Sequence, residues 1–198
     1  YSKLRAEGIK ISRTGGTSTG PIALINMINE AGRYIMQGGA RRSAIWAGLN
    51  WSHADVSKFI HLKNHSPEVR ALKEKDFTFP LPMELTNISV IYDTEFFMAI
   101  EDPSHPKHVQ ALAVWLDNCK QAFSTAEPGM SFNFRKDNES LRNACCEVTS
   151  EDDSDKCNLG TLWINRFANK KEFAEGVKLA TKFLMCGGIY YVPKTSYV

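Results

Sequence analysis

Apolar and polar residues alternate along the chain in blocks whose spacing predicts helices and strands in turn. Residues 21–36 repeat apolar side chains at helical spacing, with Pro21 acceptable in the first turn. We expect Gly38 and Gly39 to end this helix. Its predicted buried face comprises Leu24, Met27, Ile28, Ala31, Tyr34 and Ile35.

The same periodicity continues through the rest of the chain and predicts an α/β fold. Strands that alternate with helices are typical of a layered or barrel fold with a mainly parallel sheet. A Thr cap is expected at the start of the helix 94–101. In the helix 106–123, the predicted buried side comprises Val109, Leu112, Ala113, Leu116 and either Cys119 or Lys120. The remaining predicted elements are helices at 53–64 and 170–185 and strands at 43–50 and 84–93.

Composition narrows the class of protein. The chain has 198 residues, is 43% hydrophobic and carries a net charge of +2, so it can bury a real core but shows no charge excess that would favour nucleic acid or a membrane surface. No apolar run approaches the roughly 20 residues of a membrane helix, and no leader is visible. We expect a soluble, cytoplasmic protein. Tyr1 is not an initiator, which suggests an internal fragment.

Five cysteines, at positions 119, 145, 146, 157 and 186, stand in a chain that shows no secretion signal. A disulfide scaffold is typically shorter and denser in cysteine, so reduced thiols are expected. A zinc site usually combines closely spaced cysteine pairs or nearby histidines, and neither surrounds Cys145 or Cys157. We therefore predict no metal site, and we predict that Cys119 and Cys186 are small buried core residues.

Two glycine-rich stretches invite comparison with phosphate-binding loops. Residues 15–21, GGTSTGP, nearly match the glycine spacing of a P-loop, but Pro21 occupies the position of the phosphate-binding lysine. The stretch still brings Ser18 and Thr19 to the start of a helix, where anions bind; a plain N-cap turn explains the pattern equally well. In the loop at 37–44, QGGARRSA, the two glycines give the backbone conformational freedom and the two arginines supply fixed positive charges.

The segment NACCE, residues 143–147, carries the densest group of reactive side chains. If it is extended, alternate residues face opposite sides, and Cys146 points away from the others. The side that remains carries Asn143, Cys145 and Glu147. A carboxylate beside a thiol raises the pKa of the thiol, which disfavours ordinary cysteine nucleophile chemistry. The pattern favours one-electron chemistry, in which the thiol gives up a hydrogen atom and the carboxylate acts as a general base.

The order of these motifs resembles the catalytic large subunit of ribonucleotide reductase. The resemblance rests on NACCE followed by CNLG, preceded by RTGGTSTGP, QGGARRSA and NISV, and it extends over nearly all 198 residues. It implies an α/β barrel of ten strands, made of two five-stranded halves with a finger loop inside. We expect residues 1–198 to be part of a single catalytic barrel domain, the first half plus the finger loop, truncated at both ends.

The resemblance also implies a role for each polar residue of the segment. Cys145 would carry the thiyl radical that abstracts the 3′-hydrogen of a ribonucleotide, Glu147 would take the 3′-hydroxyl proton, and Asn143 would hydrogen-bond the substrate hydroxyls. Cys157 would be one half of the redox dithiol that reduces the 2′-carbon as water leaves. Its partner normally lies upstream of the TGG segment and is absent here, so this chain alone is expected to be inactive. We expect Cys145 and Cys157 to approach each other across the acidic run between them.

Specificity in this family is regulated by a deoxynucleotide effector that binds two loops at a homodimer interface. The corresponding loops here lie near residues 5–17 and at 37–44. Ordinary solvated loop charges are the alternative explanation for the polar residues in these loops. The candidate residues are Arg5, Gln37 and Arg41 for the effector and Ser18 and Thr19 for the substrate.

The style of the glycine loops favours the adenosylcobalamin-dependent branch of the family, class II. Ala144 and Cys146 match neither branch fully, and a radical delivered by a dimetal small subunit is the alternative to adenosylcobalamin. An external dithiol such as thioredoxin or glutaredoxin would be the reducing partner. Two hypotheses from other classes stay open: a nucleotide-binding module without chemistry, and a structural metal site at the cysteines.

Overall fold

A computed structural model describes residues 1–37, 39, 41–134, 141–150 and 158–190. The chain divides into two compact units, residues 1–151 and 152–198. The elements of the first unit are α1 (Gly20–Arg33), β1 (Met36–Gln37), β2 (Arg41–Arg42), β3 (Ile45–Asn50), α2 (Val56–Ile60), α3 (Pro67–Lys75), β4 (Thr86–Tyr92), α4 (Thr94–Glu101), α5 (His108–Thr125), β5 (Gly129–Phe132), β6 (Leu141–Arg142) and β7 (Thr149–Ser150).

A parallel sheet of three strands, β3, β4 and β5, forms the centre of the first unit, with β4 in the middle. Helices α2 and α3 connect β3 to β4, and α4 and α5 connect β4 to β5. Parallel strands need such helical crossovers. Because the helices cover the sheet, the strands are buried, which explains why the sequences of β3 and β4 are nearly continuous apolar runs. The predicted α/β fold is confirmed, and the open parallel sheet is consistent with part of a barrel.

Aromatic side chains dominate the core between the sheet and its helices. The rings of Tyr92 and Phe96 lie 4.4 Å apart between centroids, and Trp51 meets Phe96 edge-on at 5.5 Å. The Tyr92 hydroxyl donates to Asn118 Oδ1 at 2.7 Å, and burial raises the pKa of Tyr92 above its ordinary value. The core therefore contains a polar pair that joins β4 to α5.

The first helix is confirmed, but its predicted end and its predicted face are wrong. It ends at Arg33, before the two glycines, and Met27, Tyr34 and Ile35 are exposed. Asn29 is fully buried instead, because its Oδ1 accepts from the Leu85 amide at 3.2 Å and from the Thr86 hydroxyl at 2.9 Å. The buried positions of α1 are Gly20, Pro21, Ile25, Asn29 and Gly32.

Helix α5 shows the same kind of difference. Val109, Leu112 and Leu116 are exposed, and Cys119 is half-buried. Asn118 faces the core because its Nδ2 donates to the Pro128 carbonyl at 2.9 Å as well as meeting Tyr92. The buried positions are Ala111, Val114, Asn118 and Gln121.

Several local predictions need correction. The N-cap of α4 is Asp93, whose side chain accepts from the Phe96 amide, and not Thr94. Helix α3 was not predicted, since it buries no residue, although Ser66 caps it and Pro67 begins it. The loop at 37–44 contains the antiparallel pair β1–β2, while Gly38 and Ala40 lie outside the described residues.

The second unit contains the predicted helix at 170–185, which extends over Lys170–Tyr190 as α6. Phe167 packs edge-on against Phe173 at 5.4 Å and also contacts the helix at Gly176, where a Cβ would lie 2.6 Å from its ring. Cys186 is exposed, so its predicted burial is wrong. Across the described residues, every helix is too short or too polar to span a membrane.

Candidate active site

The cysteine segment forms a turn at the tip of the hairpin β6–β7, in which Arg142 pairs antiparallel with Thr149. The Cys146 amide donates to the Asn143 carbonyl at 3.0 Å, and Cys146 has a φ of 71°, in the left-handed region. The prediction that residues 143–147 are extended is therefore wrong. The side chains are arranged by a turn and not by strand alternation.

Asn143 organises this turn through its side chain. Its Nδ2 donates to Glu147 Oε1 at 2.7 Å, and its Oδ1 accepts from the Val148 amide at 3.1 Å. Cys145, between the two polar residues in sequence, is exposed, as is Glu147. The predicted neighbours Asn143 and Glu147 thus meet, although by a different backbone path.

A cavity of about 420 Å³ lies between this turn and the first residues of β4 and β5. Cys145, Cys146 and Glu147 line it from the turn, and Asn87 and Ser89 line it from β4. The expectation that Cys145 and Cys146 lie on opposite sides is therefore wrong, since both residues line the same cavity.

Two carboxylates line this cavity, and their environments differ. Glu127 Oε1 lies 2.8 Å from Lys63 Nζ, and its Oε2 accepts from the Ile88 amide at 3.1 Å, so both oxygens have partners. Glu147 is exposed and is held at Oε1 by Asn143. A general base needs a carboxylate that can reach the substrate proton. Glu147 is the more accessible of the two carboxylates, and its role as a base stays a prediction.

Two side chains that sequence reasoning did not single out attach the hairpin to the sheet. Asn87 Nδ2 donates to the Ala144 carbonyl at 2.6 Å. The Arg142 guanidinium donates to the Phe132 carbonyl at 2.8 Å and lies 6.0 Å from the ring centroid of Trp46. The available signal for Asn87 was a polar residue inside the apolar strand run NISVIY.

Cys157, the predicted redox cysteine, lies outside the described residues. Its approach to Cys145 stays a prediction.

A second cavity, of about 450 Å³, lies beside the start of α1 and is lined by Lys3, Arg5, Ser18 and Thr19 among others. The Ser18 hydroxyl donates to the Arg5 carbonyl and accepts from the Gly20 amide, both at 3.1 Å. Arg5 therefore shares one cavity with the two residues predicted to contact substrate. The separate assignment of Arg5 to an effector and of Ser18 and Thr19 to a substrate stays a prediction.

The other effector candidates lie on the short hairpin, where Gln37 in β1 pairs with Arg41 in β2. Arg41 is exposed. A third cavity, of about 250 Å³, is lined by Arg42 together with Arg33 and Glu84. Arg42, the neighbour of Arg41 in sequence, thus borders a cavity.

Replacing Cys146 by Gly should stabilise the protein. A side chain at positive φ costs free energy that glycine does not, and we expect the free energy of unfolding of the full-length protein to rise by about 1 kcal/mol. Chemical denaturation measures this. Cys146→Ala is the control, because it removes the thiol but keeps Cβ. An equal gain in Cys146→Ala would contradict the backbone explanation.

Comparison with known proteins identifies the family. The profile described as "Ribonucleotide reductase, barrel domain" matches residues 1–191. The chain belongs to the ribonucleotide reductase barrel-domain family. The resemblance noted from NACCE and the glycine loops is thereby confirmed at the level of the family.

Relatives from both branches of this family are similar to the chain. The ribonucleoside-diphosphate reductase large subunit of Caenorhabditis elegans is 27% identical over 214 residues, covering 90% of this chain and 27% of that protein. The vitamin B12-dependent ribonucleoside-diphosphate reductase of Thermoplasma acidophilum is 25% identical over 209 residues, covering 93% and 26%. The vitamin B12-dependent enzyme of Mycobacterium tuberculosis H37Rv is 30% identical over 143 residues, covering 67% and 18%.

The chain thus spans about a quarter or less of the length of these relatives. Membership of the family does not separate its two branches, because relatives named for vitamin B12 and relatives named as large subunits both match.

Proposed function

We propose that this chain is the part of a ribonucleotide reductase that carries the radical cysteine, Cys145. The observation that carries the proposal is the cavity at the cysteine turn, which the exposed Cys145 and Glu147 both line, with Asn143 Nδ2 bonded to Glu147 Oε1 at 2.7 Å. The barrel-domain match over residues 1–191 supports the same reaction class.

The proposed reaction assigns one step to each group. A thiyl radical at Cys145 takes the 3′-hydrogen of the ribose, and Glu147 takes the proton of the 3′-hydroxyl. The 2′-hydroxyl leaves as water, and Cys157 with a cysteine outside this chain supplies two electrons and two hydrogens, becoming a disulfide. The 3′-hydrogen then returns from Cys145 to the 3′-carbon, which restores the thiyl radical, and the proton held by Glu147 returns to the 3′-oxygen. In sum, a ribonucleotide and a dithiol give a deoxyribonucleotide, a disulfide and water.

Adenosylcobalamin is the radical source that we propose first. The sequences of the glycine loops at 15–21 and 37–44, which resemble the adenosylcobalamin-dependent branch, motivate this choice. When bound, the cofactor would supply the radical that takes a hydrogen atom from a thiol. The residues of this chain present that thiol and hold Glu147 and Asn143 beside the substrate.

The remaining partners follow from the same proposal. An external dithiol such as thioredoxin or glutaredoxin would restore the cysteine pair, and a deoxynucleotide effector would bind near Arg5, Gln37 and Arg41 in a homodimer. The cavity beside Arg5, Ser18 and Thr19 offers cationic and hydroxyl groups at the start of α1, where an anionic phosphate is favoured.

We expect the full-length protein to make deoxynucleotides when it is given ribonucleotides, adenosylcobalamin and a dithiol, with no second subunit. Chromatographic measurement of deoxynucleotide product tests this. If activity does not depend on cobalamin and requires an added radical-generating subunit, the protein belongs to the oxygen-dependent branch instead.

The second candidate is an oxygen-dependent large subunit, and relatives named "large subunit" favour it. Product formed only with the added subunit would support this candidate. Reduction under neither condition would contradict both.

A further inference from the structure

Asn87 is the exposed position in a strand that is otherwise buried. The other six residues of β4, including Ile88, Val90 and Tyr92, are buried. Asn87 and Ser89 line the cavity at the cysteine turn, and Trp46 of β3 is the register partner of Asn87. The polar side chain thus stands on the central strand, at the place where the sheet meets the turn.

The contact that Asn87 makes is with the peptide that leads into the radical cysteine. Its Nδ2 donates to the carbonyl of Ala144 at 2.6 Å, across 57 positions of sequence. That carbonyl belongs to the peptide unit joining Ala144 to Cys145. Because a peptide unit is planar, fixing its oxygen also fixes the direction in which the chain enters Cys145.

The other hydrogen bonds of the turn determine its shape but not its position. Asn143 bonds to Glu147, to the Val148 amide and to the Cys146 amide, all within the hairpin. In the described part of the hairpin, residues 141–150, two side-chain hydrogen bonds reach the sheet. Arg142 makes one at the base of the hairpin, and Asn87 makes the other at its tip.

We propose that Asn87 is a positioning residue, which holds the tip of the turn so that Cys145 and Glu147 face the substrate together. The inference rests on the proposed function. A single exposed hydrogen bond contributes little to net stability, because water replaces it in the unfolded chain. A displacement of about 1 Å at a reacting group can cost roughly 10²-fold in rate. Loss of this bond therefore affects turnover far more than folding.

The test compares full-length Asn87→Leu, which keeps the volume but removes the donor, with wild type. We expect kcat for ribonucleotide reduction to fall about 10- to 100-fold, with KM and the melting temperature little changed. Asn87→Gln keeps a donor at an exposed position and should recover most of the activity. Asn64→Leu is the matched control, since Asn64 is also exposed and its side chain bonds to His61 at the end of α2 and to Gln121 on α5. None of these three residues lines the cavity of the turn.

A second measurement, the rate of thiol alkylation, reports on the cysteine turn and does not depend on catalytic activity. Cys146 is half-buried, and without the Asn87 bond its alkylation should become several-fold faster, with half-buried Cys119 in α5 as the internal reference. In a Cys145→Ser background, which removes the adjacent exposed thiol, peptide mass spectrometry reports on Cys146 and Cys119 separately, and an unchanged rate at Cys146 would contradict the positioning role.

The outcomes separate the two proposals. Wild type that reduces no ribonucleotide under any radical source would sink the proposed function and this inference with it. Active wild type with Asn87→Leu within twofold in kcat would overturn the positioning role alone. An equal fall in kcat in the control Asn64→Leu would also overturn the positioning role. A lowered melting temperature of Asn87→Leu that accounts for its fall in kcat would overturn it as well.

Discussion

Cys145→Ser in the full-length protein is expected to abolish ribonucleotide reduction, to below the detection limit of a product assay. An O–H bond is too strong for the hydrogen-atom exchange that an S–H bond permits, so the hydroxyl cannot take the place of the thiol. The substitution changes one exposed atom and should leave folding intact. Deoxynucleotide formation, measured beside the melting temperature, checks both expectations.

Cys119→Ser is the matched control for this variant, because Cys119 is a free thiol on α5 and does not line the cavity of the turn. It should keep wild-type activity. Both cysteines of the turn border that cavity, so Cys146→Ser must be measured as well. An active Cys145→Ser with an inactive Cys146→Ser would move the radical to Cys146. If both full-length variants keep full reductase activity, the radical cysteine lies outside this chain. That result would favour the alternative in which this chain is a nucleotide-binding module without chemistry of its own.

Glu147→Gln is expected to lower kcat and kcat/KM together by about 10²- to 10⁴-fold, the usual contribution of a general base. The amide keeps an oxygen that can accept from Asn143 Nδ2, so the shape of the turn should persist while the basic oxygen is lost. Steady-state kinetics of the full-length protein measures the effect.

Glu95→Gln serves as the control, since Glu95 forms a surface ion pair with Lys107 and should tolerate neutralisation. Near-normal kcat in Glu147→Gln would remove Glu147 as the base. Glu127, the other carboxylate of the cavity, would then be the residue to test, despite its partners Lys63 and the Ile88 amide.

The sequence was a reliable guide to the central strands β3 and β4 and to the main helices. Buried parallel strands read as apolar runs, and IWAGLN and TNISVIY have that character. The sequence was a poor guide to which face of a helix is buried. Asn29 and Asn118 occupy core positions because their amide groups bond to Thr86, Tyr92 and a backbone carbonyl. Those partners lie 10 to 57 positions away in sequence and outside the helices concerned, so the pattern treats both asparagines as surface residues.

For the candidate site too, the sequence predicted which residues are involved but not their geometry. NACCE was singled out by its residue types and by the order of the motifs around it, and the barrel-domain match confirms the family. The roles assigned to its residues stay predictions. The geometry of the turn was not predictable from strand alternation, since its shape follows from hydrogen bonds made by Asn143 and a left-handed Cys146. A five-residue segment has too little periodicity to exclude a turn.

By itself, the sequence determined the α/β class and the family and pointed to residues 143–147 as the candidate site, because these depend on local periodicity and on the order of motifs. Only the tertiary structure decided that both cysteines line one cavity, that Glu127 is held by Lys63 while Glu147 is exposed, and that Asn87 holds the turn from 57 positions away. Hydrogen bonds between distant segments leave no periodic signal along a chain, since each partner is an ordinary polar residue until the fold brings the two together.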